Sequence, residues 1–137
     1  MIFVTRVEHF NAAHKLWNPS WDAEKNQTFY GKCANENYHG HNYELHVTVK
    51  GEVGADTGFV MNAKTLGDII KQKVTDLADH RNLNVDVAFM QGKLTSAENF
   101  AIAIWEQLAE EITTQHATLH SIKLIETNKI YVEYFGK

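Results

Sequence analysis

The sequence predicts an α+β fold in which two helices cover one face of a four-stranded antiparallel sheet. Three observations support this prediction. Apolar and polar residues alternate between residues 41 and 52, which indicates a strand, whereas apolar residues recur at helical spacing between residues 63 and 78. The predicted elements follow the order strand, strand, helix, helix, strand, strand. This grouping is typical of helices packed on one face of an antiparallel sheet.

The two N-terminal strands are predicted over residues 2–14 and 41–52. The second strand is the clearer one, because from His39 onward the odd-numbered residues are histidine, tyrosine, leucine or valine and share one face of a pleated strand. The sequence between them, residues 15–38, is predicted to be irregular, and loops of this length are usually functional or mobile. This loop carries Cys33, the only cysteine, towards the second strand.

Two helices and two further strands are predicted in the rest of the chain. Asn62 is suited to cap a first helix over residues 63–78. Thr95 and Glu98 have the spacing of a capping box at the start of a second helix, in which apolar residues recur every four positions. Residues 113–121 are predicted to form a polar loop. The last two strands are predicted at residues 121–127 and 130–135.

Length and composition fit one soluble domain that spans residues 1–137. The chain is 44% hydrophobic and 22% charged, with a formal net charge of −4, and this lack of basic character argues against nucleic acid as a partner. No apolar run approaches the roughly 20 residues that a membrane-spanning helix needs. A single cysteine cannot form an internal disulfide, so we expect a cytoplasmic protein. Neighbouring subunits often close open sheet edges, which predicts a homo-oligomer.

Three of the eight histidines are candidate metal ligands. His39 and His41 are two residues apart on one strand, so their imidazoles point the same way. Antiparallel pairing of the first two strands would bring His14 beside them. Three neutral imidazoles with one position left open are typical of a catalytic zinc ion, so we predict a Zn²⁺ site. The alternative is three unrelated histidines, because His-x-His is a short and common pattern.

Cys33 and the Asp79-His80 pair are candidates for proton transfer. A thiolate near a zinc ion or another cation has a lowered pKa and can act as a base or nucleophile. A lone cysteine is more often a small buried hydrophobe, however. A carboxylate that steadies an imidazole is a common acid–base arrangement. His80 is also explained by the favourable dipole at a helix C-terminus.

Glu126 is a candidate ligand-binding residue. It follows Ile122 and Leu124 at period 2 and so shares their apolar face, where a carboxylate needs a partner. A ligand with two adjacent N–H groups would satisfy both carboxylate oxygens. The alternative is a strand register that turns Glu126 outward. Glu98, in contrast, is explained by its position in the predicted capping box.

Together these residues resemble the 6-pyruvoyltetrahydropterin synthase family, and the similarity runs nearly from end to end. The combination of motifs is far more specific than any one of them. The matching motifs are Phe10-Asn11-Ala12-Ala13-His14, Gly31-Lys32-Cys33 through His39-Gly40-His41-Asn42-Tyr43, Thr57-Gly58-Phe59-Val60-Met61-Asn62, Leu77-Ala78-Asp79-His80-Arg81-Asn82-Leu83-Asn84, Ser96-Ala97-Glu98-Asn99 and Glu126-Thr127.

The resemblance implies the tunnelling fold, in which three subunits close a twelve-stranded barrel and two trimers stack into a hexamer. Active sites in this family lie between subunits. By matching motif, the implied zinc ligands are His14, His39 and His41, and the implied catalytic base is Cys33. The other implied roles are proton relay from a neighbouring subunit for Asp79 and His80, anchoring of the pterin ring for Glu126, and a position near the same pocket for Glu98.

The implied activity is that of a zinc-dependent carbon–oxygen lyase of tetrahydrobiopterin biosynthesis. It converts 7,8-dihydroneopterin triphosphate to 6-pyruvoyltetrahydropterin with loss of triphosphate, using Cys33 as thiolate to remove a proton and His80 with Asp79 to return one. The alternative is 6-carboxy-5,6,7,8-tetrahydropterin synthase of queuosine biosynthesis, which releases acetaldehyde. That enzyme typically has three residues between the cysteine and His-Gly-His, whereas this chain has five, which favours the pyruvoyl reaction.

Two other classes of function stay open, a zinc-stabilised pterin-binding module without turnover and a cysteine hydrolase that uses Cys33 and His80. A module would have little use for Cys33 beside an open metal site, and a hydrolase should remain active after a chelator removes the metal. The chain also departs from the family pattern, because Asn11 and Ala13 stand where serines are usual. This departure predicts altered surroundings for His14.

Overall fold

The chain is described by a computed structural model that covers residues 1–114 and 116–137. Its sheet is built from β1 (Ile2–His14), β2 (His39–Gly51), β3 (Arg81–Asn82), β4 (Ala117–Thr127) and β5 (Ile130–Tyr134). The strand order across the sheet is β3-β1-β2-β4-β5. The four longer strands pair antiparallel, which confirms the predicted α+β class, and the two-residue β3 adds a parallel pairing to β1 that was not predicted.

The helices are α1 (Ala23–Tyr30), α2 (Ala63–Ile70), α3 (Asp76–Ala78) and α4 (Ala97–Ile112). A π-helical turn at Lys71–Thr75 joins α2 to α3, so the helix predicted over residues 63–78 is confirmed as one continuous segment. Helix α1 lies in the stretch predicted to be irregular. Asp22 caps it by accepting the Lys25 N–H at 2.8 Å. No helix in the described ranges is long and apolar enough to cross a bilayer.

The sheet has two faces, a helix-covered face and an outer face. On the helix-covered face, Tyr43 and Leu45 of β2 and Leu124 of β4 are buried, and the Tyr43 ring packs edge-on against Phe100 of α4. The outer face is the opposite one, and it carries the side chains that alternate with these. Members of the outer face include Asn11 and Ala13 on β1 and Asn42, Glu44 and His46 on β2.

The boundaries of α4 and β4 differ from the prediction. The residue that caps α4 is Ser96, whose hydroxyl accepts the Asn99 N–H at 3.3 Å, so the predicted capping box of Thr95 and Glu98 is wrong. Thr95 is engaged elsewhere. Strand β4 begins four residues before the predicted position 121, because Ala117 and the residues after it pair with β2. Residue 115 of the predicted polar loop lies outside the described residues.

Candidate active site

Three imidazoles converge where β1 ends and β2 begins. The antiparallel register places His14 opposite His39 and Ala12 opposite His41, so all three histidines project from the helix-covered face. The ring centroids are 4.6 Å, 5.1 Å and 5.0 Å apart. One nitrogen from each ring lies within 4.8 Å of the other two. The structure therefore brings together the three predicted ligands, which we call the histidine cluster.

The unpaired atoms of the cluster fit a metal ion. His14 Nε2, His39 Nδ1 and His41 Nε2 are buried and have no hydrogen-bond partner among the described residues. Buried polar atoms are nearly always paired, so three such atoms in one place require an explanation. Neutral imidazole nitrogens are common ligands of divalent metals. The donor set could therefore hold a metal ion.

A main-chain contact orients the first imidazole. The Nδ1–H of His14 donates to the Thr95 carbonyl oxygen at 2.6 Å, which fixes the proton on Nδ1 and leaves the lone pair on Nε2. The Thr95 hydroxyl donates to the Lys15 carbonyl oxygen at 3.0 Å. The Asn84 side chain holds the main chain of the same residue, because it accepts the Lys15 N–H at 2.9 Å and donates to the Lys15 carbonyl oxygen at 3.1 Å. Thr95 and Asn84 thus support the cluster.

Burial favours the uncharged form of two rings of the cluster, His14 and His39. The pKa of His14 is lowered to about 4, chiefly by desolvation and also by the nearby imidazoles of His39 and His41, although the Thr95 hydrogen bond opposes this shift. The pKa of His39 is lowered by the same desolvation and then by His41. At neutral pH these rings are therefore in the neutral form that a metal ion binds.

Glu126 and Tyr43 form the wall beside His41. The Oε1 atom of Glu126 lies 3.6 Å from His41 Nε2, so this carboxylate is not turned outward. The Tyr43 ring packs edge-on against His41 with centroids 5.7 Å apart, and its hydroxyl is buried without a hydrogen-bond partner in the described chain. Burial, and secondly the charge of Glu126, raise the pKa of the Tyr43 hydroxyl.

Cys33 lies in a 3₁₀ turn (Gly31–Ala34) rather than in an irregular loop, and it is partly buried. Its carbonyl oxygen accepts the Leu16 N–H at 2.7 Å. Because Leu16 is two residues past His14, this bond ties the turn to the end of β1. The ligand atoms that converge in the cluster do not include the Cys33 sulfur.

Asp79 and His80 form a close pair at the edge of β1. His80 Nδ1 lies 2.9 Å from Asp79 Oδ1, and the same oxygen accepts the Asn11 N–H at 3.0 Å. The main-chain N–H of His80 donates to the Asn11 carbonyl oxygen at 2.7 Å, so the pair is bonded to the main chain of the strand. The Asn11 hydrogen bond is the largest cause of a lowered Asp79 pKa; desolvation opposes it and His80 adds to it.

His80 of this pair opens onto a groove that includes outer-face residues of the sheet. His80 lines a groove of about 540 Å³ together with the outer-face residues Asn11, Ala13, Gly40 and Asn42 and with His41 of the histidine cluster. Of the three cluster histidines, His14 and His39 do not line this groove. The expectation that Asn11 and Ala13 alter the surroundings of His14 is wrong, because strand alternation points both side chains to the outer face.

Glu98 is exposed in the first turn of α4, and it belongs neither to the histidine cluster nor to the helix cap. Sequence reasoning also missed two residues that support the cluster, Thr95 and Asn84. Thr95 was interpreted as a helix cap, and its contact with His14 is made by a main-chain carbonyl, which carries no sequence signal. The only available signal was the position of Asn84 in a polar run just after a helix.

Comparisons with known proteins agree with this architecture. A family model described as 6-pyruvoyl tetrahydropterin synthase matches residues 3–137. The chain is 40% identical over 136 residues to the 6-pyruvoyl tetrahydrobiopterin synthase of Dictyostelium discoideum, covering 99% of this chain and 97% of that protein. It is 29% identical to the 6-carboxy-5,6,7,8-tetrahydropterin synthase of Haemophilus influenzae, over 76% of this chain and 84% of the relative.

Solved structures give the same result. The structure of Caenorhabditis elegans 6-pyruvoyl tetrahydropterin synthase superposes with a TM-score of 0.92 at 34% sequence identity, covering 99% of this chain and 96% of that one. Both the family model and the more similar relatives therefore extend over almost the whole chain. The chain belongs to the 6-pyruvoyl tetrahydropterin synthase family.

Proposed function

We propose that this protein is a zinc-dependent lyase that converts 7,8-dihydroneopterin triphosphate to 6-pyruvoyltetrahydropterin with loss of triphosphate, a step of tetrahydrobiopterin biosynthesis. The observation that carries the proposal is the histidine cluster, in which one nitrogen from each ring lies within 4.8 Å of the other two and a buried nitrogen of each ring has no hydrogen-bond partner among the described residues. The activities for which the more similar relatives are named support the same proposal. A cytoplasmic location is part of the proposal and rests on the lone cysteine.

The three histidines would hold the ion through the nitrogens that have no hydrogen-bond partner in the described part of the chain. When bound, zinc supplies positive charge that lowers the pKa of substrate hydroxyl groups. Cys33, partly exposed in its turn, removes a side-chain proton as thiolate. Because triphosphate leaves and the pterin ring is reduced internally by tautomerisation, the reaction requires no nicotinamide.

Glu126 is the proposed anchor of the pterin ring. Its carboxylate lies beside His41 on the helix-covered face, where it needs a partner to offset the cost of partial burial. Two adjacent N–H groups on the pterin edge match the two carboxylate oxygens. Glu98 is assigned to the same pocket by family likeness alone, and its exposed position leaves it free to contact a ligand held between two subunits.

Asp79 and His80 return the proton from a neighbouring subunit. Within one chain His80 lines the groove with His41, whereas His14 and His39 do not line it, so we propose that a complete site combines the cluster of one chain with His80 of another. The sheet supports such assembly, because β5 ends it on one side and β1 is covered by β3 at only two residues on the other. We therefore propose a homo-oligomer, in the form of a hexamer of two stacked trimers.

The alternative activity is that of a 6-carboxy-5,6,7,8-tetrahydropterin synthase, because the chain is also similar to an enzyme of that name. In that reaction the same metal and base would cleave a carbon–carbon bond and release acetaldehyde. The lower identity to that relative and the five residues between Cys33 and His39 favour the pyruvoyl product.

Product analysis tests the proposal. Zinc-loaded protein is incubated with 7,8-dihydroneopterin triphosphate, and the pterin, triphosphate and acetaldehyde are quantified by chromatography and mass spectrometry. We expect 6-pyruvoyltetrahydropterin and triphosphate in equal amounts, with no product after chelation. Acetaldehyde without the pyruvoyl product would replace the proposal with the alternative, and activity that survives chelation would indicate a cysteine hydrolase.

A further inference from the structure

The hydroxyl of Tyr43 shares a property with the atoms of the histidine cluster. Within residues 1–114 and 116–137, four buried side-chain nitrogen or oxygen atoms have no hydrogen-bond partner. Three are the ring nitrogens of the cluster, and the fourth is the Tyr43 hydroxyl oxygen. Tyr43 follows His41 by two residues and therefore lies on the same face of β2. The four unpaired atoms thus lie in one region of the fold.

The Tyr43 ring is held in place from three sides. Its centroid lies 5.1 Å from Phe10 in a stacked arrangement, 5.5 Å from Phe100 and 5.7 Å from His41, both edge-on. Only 1% of the residue is exposed. Such a ring cannot swing its hydroxyl into solvent, so a partner for the hydroxyl has to enter the site.

A ligand that reaches the cluster is the partner that the geometry favours. The cluster nitrogens are buried like the hydroxyl, and the Tyr43 ring is 5.7 Å from the His41 ring, so a ligand that binds at the cluster lies near Tyr43. We propose that Tyr43 is a further substrate-binding residue, whose hydroxyl donates a hydrogen bond to an oxygen atom of the substrate side chain held at the histidine cluster. This inference rests on the proposed function and adds a residue to it.

The competing explanation is an internal water that pairs with the hydroxyl whether or not substrate is present. The two explanations predict opposite effects for Tyr43→Phe. If the hydroxyl has no partner in the free protein, its removal leaves the melting temperature of the metal-free protein unchanged or raised, because no hydrogen bond is lost. If a water is bound, removal breaks a buried network and lowers the melting temperature.

The test measures stability and substrate affinity in parallel. Melting temperatures are recorded for metal-free wild type and Tyr43→Phe. The affinity for 7,8-dihydroneopterin triphosphate is measured by calorimetry on zinc-loaded protein in a Cys33→Ala background, which limits turnover. Loss of one hydrogen bond should raise Kd about tenfold. The matched control is Tyr134→Phe, because Tyr134 packs against Trp105 between β5 and α4; its Kd should equal that of the background.

The outcomes separate the inference from the proposed function. A melting temperature several degrees lower for Tyr43→Phe, or a Kd equal to that of the Tyr134→Phe control, would overturn the inference and leave the proposed function standing. Failure of the background protein to bind the substrate at all would contradict both. A crystal structure with bound substrate adds a direct check, since the hydroxyl should lie within about 3.2 Å of a substrate oxygen, and a water in that place would overturn the inference.

Discussion

The imidazole of His14 donates its Nδ1 proton to the carbonyl oxygen of Thr95 at 2.6 Å. This bond joins the end of β1 to the residue before the cap of α4. It sets the tautomer of the ring and aims Nε2 away from the main chain, so the donor that a metal needs is prepared before any metal binds. The orientation of the cluster therefore depends on how firmly Thr95 and its neighbours are held.

Asn84 is the residue whose loss should loosen this arrangement. Its side chain bonds both the N–H and the carbonyl of Lys15, next to His14. We expect Asn84→Ala to weaken zinc affinity by about 10- to 100-fold, as is usual for groups that orient metal ligands. The measurement is competition with a calibrated chelator. Asn128→Ala, in the exposed turn between β4 and β5, serves as the control and should bind zinc normally; equal affinity for the two variants would contradict the supporting role.

Cys33 should be needed for turnover and not for metal binding. Because its sulfur is not part of the convergent ligand set, Cys33→Ala should retain the metal content of the wild type. Loss of a general base should reduce kcat by about 10²- to 10⁴-fold. Metal analysis and steady-state kinetics on the same preparation check both statements, and full turnover by Cys33→Ala would remove it from the mechanism.

Asp79 should contribute to stability in a pH-dependent way. Its pKa is lowered in the folded protein, first by the Asn11 N–H, so its contribution is present above the unfolded pKa of about 3.9 and is lost as the pH falls through the folded value. Asp79→Asn should thus be less stable than the wild type at pH 7, and the gap should close below about pH 4. The side chain is 44% exposed, so solvent screening keeps the gap small. Urea unfolding at pH 7, 5 and 3 measures it, and a gap that widens in acid would contradict the assignment.

Mixed oligomers test whether His80 acts from a neighbouring chain. Cys33→Ala and His80→Ala proteins should each have little activity alone. When they are unfolded together in equal amounts and refolded, about a quarter of the shared sites should combine an intact Cys33 from one chain with an intact His80 from the other. Activity should then rise towards about a quarter of the wild-type value. No gain over the separate variants, in oligomers shown to be mixed, would place both residues in one chain.

Much of the fold follows from periodicity in the sequence. The alternation that starts at His39 predicts both the second strand and the face on which His39 and His41 lie, and antiparallel pairing then places His14 opposite His39. Periodicity did not predict helix α1, because this helix has no apolar stripe. Among the described residues, Asn26 is its one buried residue. Strand β3 has two residues, too few for any alternation to be visible.

The site is less predictable where main-chain atoms carry the contacts. The Thr95 carbonyl that orients His14 and the Asn11 peptide that clamps Asp79 could belong to any residue type, so neither leaves a sequence pattern. The same limit explains the misplaced helix cap, since Thr95 and Ser96 are both suited to it. Only the structure shows that the Thr95 hydroxyl is engaged with Lys15.

Zinc content per chain tests the central claim most directly. Protein purified without added metal is analysed by inductively coupled plasma mass spectrometry, next to His39→Ala and His41→Ala variants whose folding is verified by circular dichroism. Three imidazoles that hold a catalytic ion predict about one zinc per chain in the wild type and a large loss in each folded variant. A folded wild type that takes up no zinc even when zinc is supplied, or variants that bind it as well as the wild type, would contradict the account.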